Sequence, residues 1–246
     1  MARRLLGFRF WLLLPALLGA CALPLNTAVR DWSGTAGIAV ARPGVAEPEA
    51  ARALRQALSI YFQALGVLWD GSDLTFDEAR FAGLAEKVAE PRAAQAIAEL
   101  GRVLRAASDE KPPRWLPRDN SGPVPAYEDR RLTRTIRAAD GPVRILLAAL
   151  SGTVTMPART PIPDAGVPDV GDPALRQALL ERDAHFVAEG QAAGARYLAV
   201  LDRIAEGQAV LADRAGQIRQ RSTELQLRDA EDRLQRAIDA RRAPAP

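Results

Sequence analysis

From Ala174 to Ala243 the chain runs for seventy residues without a proline. Within that stretch Tyr197, Leu201, Ile204, Gln208, Leu211, Ala215, Ile218, Ser222 and Leu225 are spaced alternately four and three apart. That spacing puts one residue per turn on a single helical face and is incompatible with the two-residue period of a strand. One unbroken helix over the stretch would be about 105 Å long at ~1.5 Å per residue. Gly190 and Gly194 are the expected places for a break, because each glycine costs roughly 1 kcal/mol in a helix interior. Their small-xxx-small spacing reads as close packing or a kink rather than membrane dimerisation. After Leu225 the apolar phase shifts to Leu227, Ala230, Leu234 and Ile238, flanked by acid-then-base pairs such as Glu224 with Arg228 and Asp229 with Arg233, which support an exposed helix face. Residues 173–243 are therefore expected to form a long C-terminal helix that packs on the rest of the chain over its first part. Its charged end either projects or meets a partner. The seam reads first as intramolecular and second as an intermolecular coiled coil.

Shorter helices are predicted upstream, over 46–155. Leu54, Leu58, Tyr61, Leu65 and Leu68 form one stripe, flanked by Phe62 and Trp69 and closed by the Asp70-Gly71-Ser72 turn. Thr75 and Glu78 have capping-box spacing ahead of Phe81, Leu84 and Val88. Pro91 restarts a helix through Ile97, Leu100 and Leu104. A further helix spans 126–139. Asp140-Gly141-Pro142 reads as a stop and restart before a very apolar run, Val143 to Leu150, that belongs in the middle of the domain. Residues 156–172 form a proline-rich linker, and residues 21–45 a tether broken by Gly34 and Gly37, with a short extended piece at 37–40 and Trp32 docking back on the domain. The fold class is all-α, an antiparallel helical bundle with a long C-terminal helix.

The N-terminus gives an address. Arg3, Arg4 and Arg9 precede the apolar run Phe10–Leu18, and small residues lead to Cys21, the only cysteine; this is the order of a secretory signal. Leu18-Gly19-Ala20-Cys21 resembles the lipobox of bacterial lipoproteins, over about the first 22 residues. The resemblance implies cleavage before Cys21, a diacylglycerol on its thiol and an acyl chain such as palmitate on its amine. Two or more chains make such anchoring stable. Ala22 rather than Asp after the cysteine favours the outer over the inner membrane, with the domain facing the periplasm. Two other readings stand beside this one. Ala20-Cys21-Ala22 also satisfies ordinary signal cleavage. The uncharged run Phe10–Leu25, sixteen residues with Pro15 and Pro24, is an anchor only if it spans with fewer than the roughly 20 residues a helix needs.

Residues 1–20 hold those three arginines and no acid, so the formal charge of +3 falls to zero once they are removed. A neutral domain argues against nucleic-acid binding, which needs a basic face. With Cys21 lipidated, no disulfide forms. His185 is the only histidine, so histidine metal sites and Ser–His–Asp or Cys–His catalysis lack parts. No phosphate-cradling loop occurs. No catalytic residue, metal or cofactor is expected, and the chain reads as a non-enzyme. Glu128 and Asp129 beside Tyr127 are the place for a two-carboxylate hydrolase, though acids also favour a helix start. Arg118 to Gly122 suits a binding loop or simply a turn.

Two functions follow. The first is a lipid-anchored, non-enzymatic scaffold or adapter that holds another envelope protein through its C-terminal helix. The second is a periplasmic module for a small apolar or cell-wall ligand held between helices near Trp115, Tyr127, His185 and Tyr197.

Overall fold

The computed structural model describes residues 27–42, 48–111, 130–154 and 173–242. Among them lie seven α-helices: α1 Ala28–Ala41, α2 Glu49–Trp69, α3 Glu78–Ala85, α4 Pro91–Asp109, α5 Arg130–Val154, α6 Pro173–Asp213 and α7 Arg221–Arg242, with a 3-10 turn at Ala215–Gln217 before α7. The all-α class and the long C-terminal helix are as the sequence indicates.

The first difference is α1. Residues expected to be tether form a core helix, with Ala28, Val29, Trp32, Ala36 and Val40 fully buried. Gly37 breaks nothing. It is buried in α1, and a Cβ there would lie 3.4 Å from Phe62 Cβ, an ordinary contact on the face turned to α2. Trp32 does dock, edge-on to Phe62 with ring centroids 5.4 Å apart. The two helices run antiparallel: Arg30 meets Asp70 at 3.8 Å at one end, and Arg55 donates to the Ala41 carbonyl at 3.1 Å at the other.

The α2 stripe is buried as predicted, and α2 ends in a turn where Gly71 takes φ +67°, a conformation glycine adopts without a Cβ penalty. The cap of α3 falls two residues later than Thr75. Asp77 accepts from the Ala79 N–H at 3.1 Å. Pro91 opens α4 in its first turn, where its missing N–H costs nothing.

The expected stop at Asp140–Pro142 is absent, and Pro142 lies buried inside a continuous α5. The reason is the face on either side of it. Leu132, Ile136, Ala139, Val143, Leu146 and Leu150 alternate four and three apart straight through the proline and are all fully buried, so packing outweighs the lost hydrogen bond. Arg144 Nε clamps Asp140 across the same turn at 3.1 Å.

Gly190 and Gly194 lie inside α6, which ends instead at Asp213. The chain reverses over 214–220, and α7 returns antiparallel, Arg233 reaching Glu206 at 4.0 Å. Ala215 and Ile218 stay buried within the reversal. The heptad seam thus reads through a turn as though no turn were there. Tyr197 to Ile218 is a seam closed within the chain. Ser222 is exposed and Leu225 is 52% exposed, whereas Leu227, Ala230, Leu234 and Ile238 are buried against α1 and α6.

Two ends result. The near end gathers the start of α1, the connection after α2, the start of α5 (Thr133 donates to the Ala215 carbonyl at 2.8 Å) and the 214–220 reversal. The far end gathers Ala41, Glu49, Val154 and the last turn of α7. At the far end Gly194 lies beside Val154 and Tyr197 beside Arg241. From there α6 continues back to Pro173, a further twenty-one residues, or about 32 Å. This arm, not the C-terminal end, is what projects past the neighbouring described helices.

Candidate functional site

Three features of the described residues invite a function: a polar node in the core, a cationic cluster at the far end, and the arm.

The node joins α1, α2 and α6. Tyr61, fully buried, donates to Gln208 Oε1 at 3.3 Å, and burial pushes its phenol well above the ordinary tyrosine range despite that bond. Gln208 Nε2 and Trp32 Nε1 are buried without a hydrogen-bond partner among the described residues. Gly207 makes the indole's position possible, since a Cβ there would lie 2.2 Å from Trp32 Nε1.

At the far end Tyr197 is 5% exposed, and its hydroxyl has no partner among the described residues. The Arg241 guanidinium lies over its ring at 4.6 Å, and Arg55 adds a second charge. Burial raises the phenol's pKa and the two arginines draw it back in part. Burial likewise lowers Arg55 and Arg241, each partly restored by Tyr197. The cluster fastens the base of the arm to α1, α2 and α7.

The arm bears Leu175, 50% exposed, Leu179, 39%, and Phe186, 61%. Spacings of four and seven place all three on one helical face. Between Pro173 and Arg196, Val187 alone is buried. His185 belongs to this exposed arm, its side chain 72% exposed and 3.3 Å from Glu189 Oε1. It stands twelve residues from Tyr197, about 18 Å along the helix. The two residues expected to share a ligand are therefore not brought together. Trp115 and Tyr127, like Cys21, Glu128, Asp129, the loop at Arg118–Gly122 and the 156–172 linker, lie outside the described residues.

A groove of about 590 Å³ runs along α4 and α5 between Glu90, Arg92, Arg144, Ala148 and Thr153. It is open to solvent, and among the described residues Glu90 is the one carboxylate lining it. Among the described residues no three His, Cys, Asp or Glu side chains converge as metal ligands, and no helix is long and apolar enough to cross a membrane. The sequence reading missed the arm stripe. Its spacing carries the same signal as a buried face. Comparisons with protein-family models, curated proteins and solved structures gave no match to the chain.

Proposed function

We propose that the protein is a lipid-anchored protein of the bacterial cell envelope that works without catalysis, as a scaffold that presents the α6 arm to another envelope protein. The address rests on the basic, apolar and small segments that end at Cys21. The scaffold rests chiefly on the bare stripe of Leu175, Leu179 and Phe186. Burying apolar surface is worth roughly 25 cal/mol per Å², and a long helix that leaves such a stripe in water forgoes it. The partner-binding segment in this reading moves from the charged C-terminal end, where α7 is folded against α1 and α6, to residues 173–196.

Two measurements test the reading. Mass spectrometry of the protein purified from its membranes should find a mature N-terminus at Cys21 carrying a diacylglycerol and an acyl chain. An uncleaved or unlipidated N-terminus refutes the address. A photo-crosslinker at Phe186 should capture one partner in cells, the same partner should be missing with Cys21→Ala, and a crosslinker at exposed Leu225 should not capture it. Equal capture from both positions refutes the arm as the binding element.

A further inference from the structure

With Cys21 lipidated, the length of chain between the lipid and the fold becomes a constraint. Seven residue steps separate Cys21 from Ala28, where α1 begins. Fully extended they span about 25 Å at most, at ~3.3–3.6 Å per residue. The bundle helices are longer. The 21 residues of α2 and the 25 of α5 make about 31 and 37 Å at ~1.5 Å per residue. The start of α1 therefore cannot stand a bundle length away from the bilayer.

The surface around that start is the near end. Residues 214–223 contribute Arg214, Arg219 and Arg221 to it, with no acid among them. Arg221 also pairs with Glu224 at 2.9 Å, while Arg219 lies over half-buried Trp69 at 5.0 Å, an aromatic–cation pair of the kind that suits a membrane–water boundary. The same end also carries acids: Asp70, Asp73 and Asp77 in the connection to α3, and exposed Asp213 just before the reversal. Arg30, at the same end, is held by Asp31 and Asp70. α6 leaves this end and reaches Leu175 thirty-eight residues before Asp213, about 57 Å away.

We infer that the near end docks on anionic phospholipid headgroups through the Arg214–Arg221 reversal and Trp69, with the acidic Asp73–Asp77 connection tilted off the surface and the α6 arm directed away from the anchoring bilayer. This rests on the lipoprotein reading of Cys21. It gives the arm its purpose, because the stripe at Leu175–Phe186 is then offered to partners beyond the headgroup layer and not to the lipid that holds the protein.

The test uses the full-length protein, lipidated in its own cells and reconstituted into phosphatidylethanolamine–phosphatidylglycerol vesicles that contain a headgroup-attached quencher. Gln220 and Gln177 are both exposed, and the native cysteine is blocked by lipid, so Gln220→Cys and Gln177→Cys each accept one fluorophore. The expected result is loss of fluorescence at Gln220→Cys and none at Gln177→Cys, with the loss at Gln220→Cys reduced in vesicles without phosphatidylglycerol. Quenching at Gln177→Cys overturns the orientation, since the arm then lies on the membrane; absence of quenching at both positions overturns the docking. The mass of the N-terminal peptide separates the two levels. An acylated Cys21 with a quenched arm refutes the orientation alone, whereas an unacylated Cys21 refutes the lipoprotein reading and this orientation with it.

Discussion

At the scale of single residues, two glycines of α6 have opposite roles. Gly207 lies so close to Trp32 that an added Cβ would meet three atoms of the indole, at 2.2, 2.4 and 2.6 Å. The ring is fully buried and has nowhere to swing. Alanine gains roughly 1 kcal/mol of helix propensity, but overpacking a core costs about 1–3 kcal/mol or more, so Gly207→Ala should lower the Tm. Gly190 has nothing within 4 Å of the same atom, and Gly190→Ala should raise the stability of the arm by up to ~1 kcal/mol. Thermal unfolding and hydrogen exchange of the two variants check the pair.

Two glutamates of α7 also differ in sign. Burial alone would raise Glu224, but hydrogen bonds from Arg221 and Arg228 outweigh it and hold the carboxyl below its usual range. A depressed carboxylate contributes stability above its unfolded pKa and loses it as pH falls through the folded one. Glu231 is raised, first by burial, then by Asp31 and Asp232, against a hydrogen bond from Thr35 at 3.2 Å. Ionising it therefore opposes folding at neutral pH. Glu224→Gln should destabilise at pH 7 and Glu231→Gln should stabilise, both differences fading as the pH drops below the carboxylate range. Unfolding titrations from pH 7 down to about 3, past the ordinary carboxylate pKa, read this directly; equal signs for the two variants would refute it.

At the scale of elements, α7 and the arm exchange the roles their sequences suggest. α7 has the more charged sequence, yet it buries Leu227, Leu234 and Ile238. Each fully buried aliphatic side chain is worth about 1.5–3 kcal/mol, a large share of a domain's usual ~5–15 kcal/mol. A chain ended after Gln220 should lose cooperative unfolding. The arm has the more apolar sequence but contributes little to the core. Replacing Leu175, Leu179 and Phe186 together by serine should leave the Tm within about a degree, since surface substitutions usually fall within ±0.5 kcal/mol, whereas Ile204→Ser on the buried part of the same helix should lower it sharply.

At the scale of the whole molecule, the lipoprotein reading makes the lipid an anchor and no part of the fold. Cys21→Ala should therefore move the protein from the membrane to the soluble fraction of the envelope while its Tm stays that of the lipidated form. A variant that aggregates or melts lower would show that lipid is part of the fold. Removing residues up to 45 should instead abolish folding, because Trp32 and Val40 go with them.

The fold class, the α2 and α4 faces and the buried seam from Tyr197 to Ile218 were legible in the sequence, because a helix that buries one side must repeat its apolar residues at its own period. The phase shift after Leu225 was legible too, but it falls inside α7, and the turn at 214–220 is hidden because Ala215 and Ile218 stay in the seam. Periodicity specifies a face but carries no information about what covers it. Leu175, Leu179 and Phe186 repeat as a core face does and stand in water, while glycine-rich α1 looks like a tether and is sealed between α2 and α7. Of the expected ligand residues, the distance between His185 and Tyr197 follows from helix geometry alone, but their opposite exposures depend on where α5 and α7 end. Tertiary structure decided those points, since burial is a property of neighbours that arrive from distant parts of the chain.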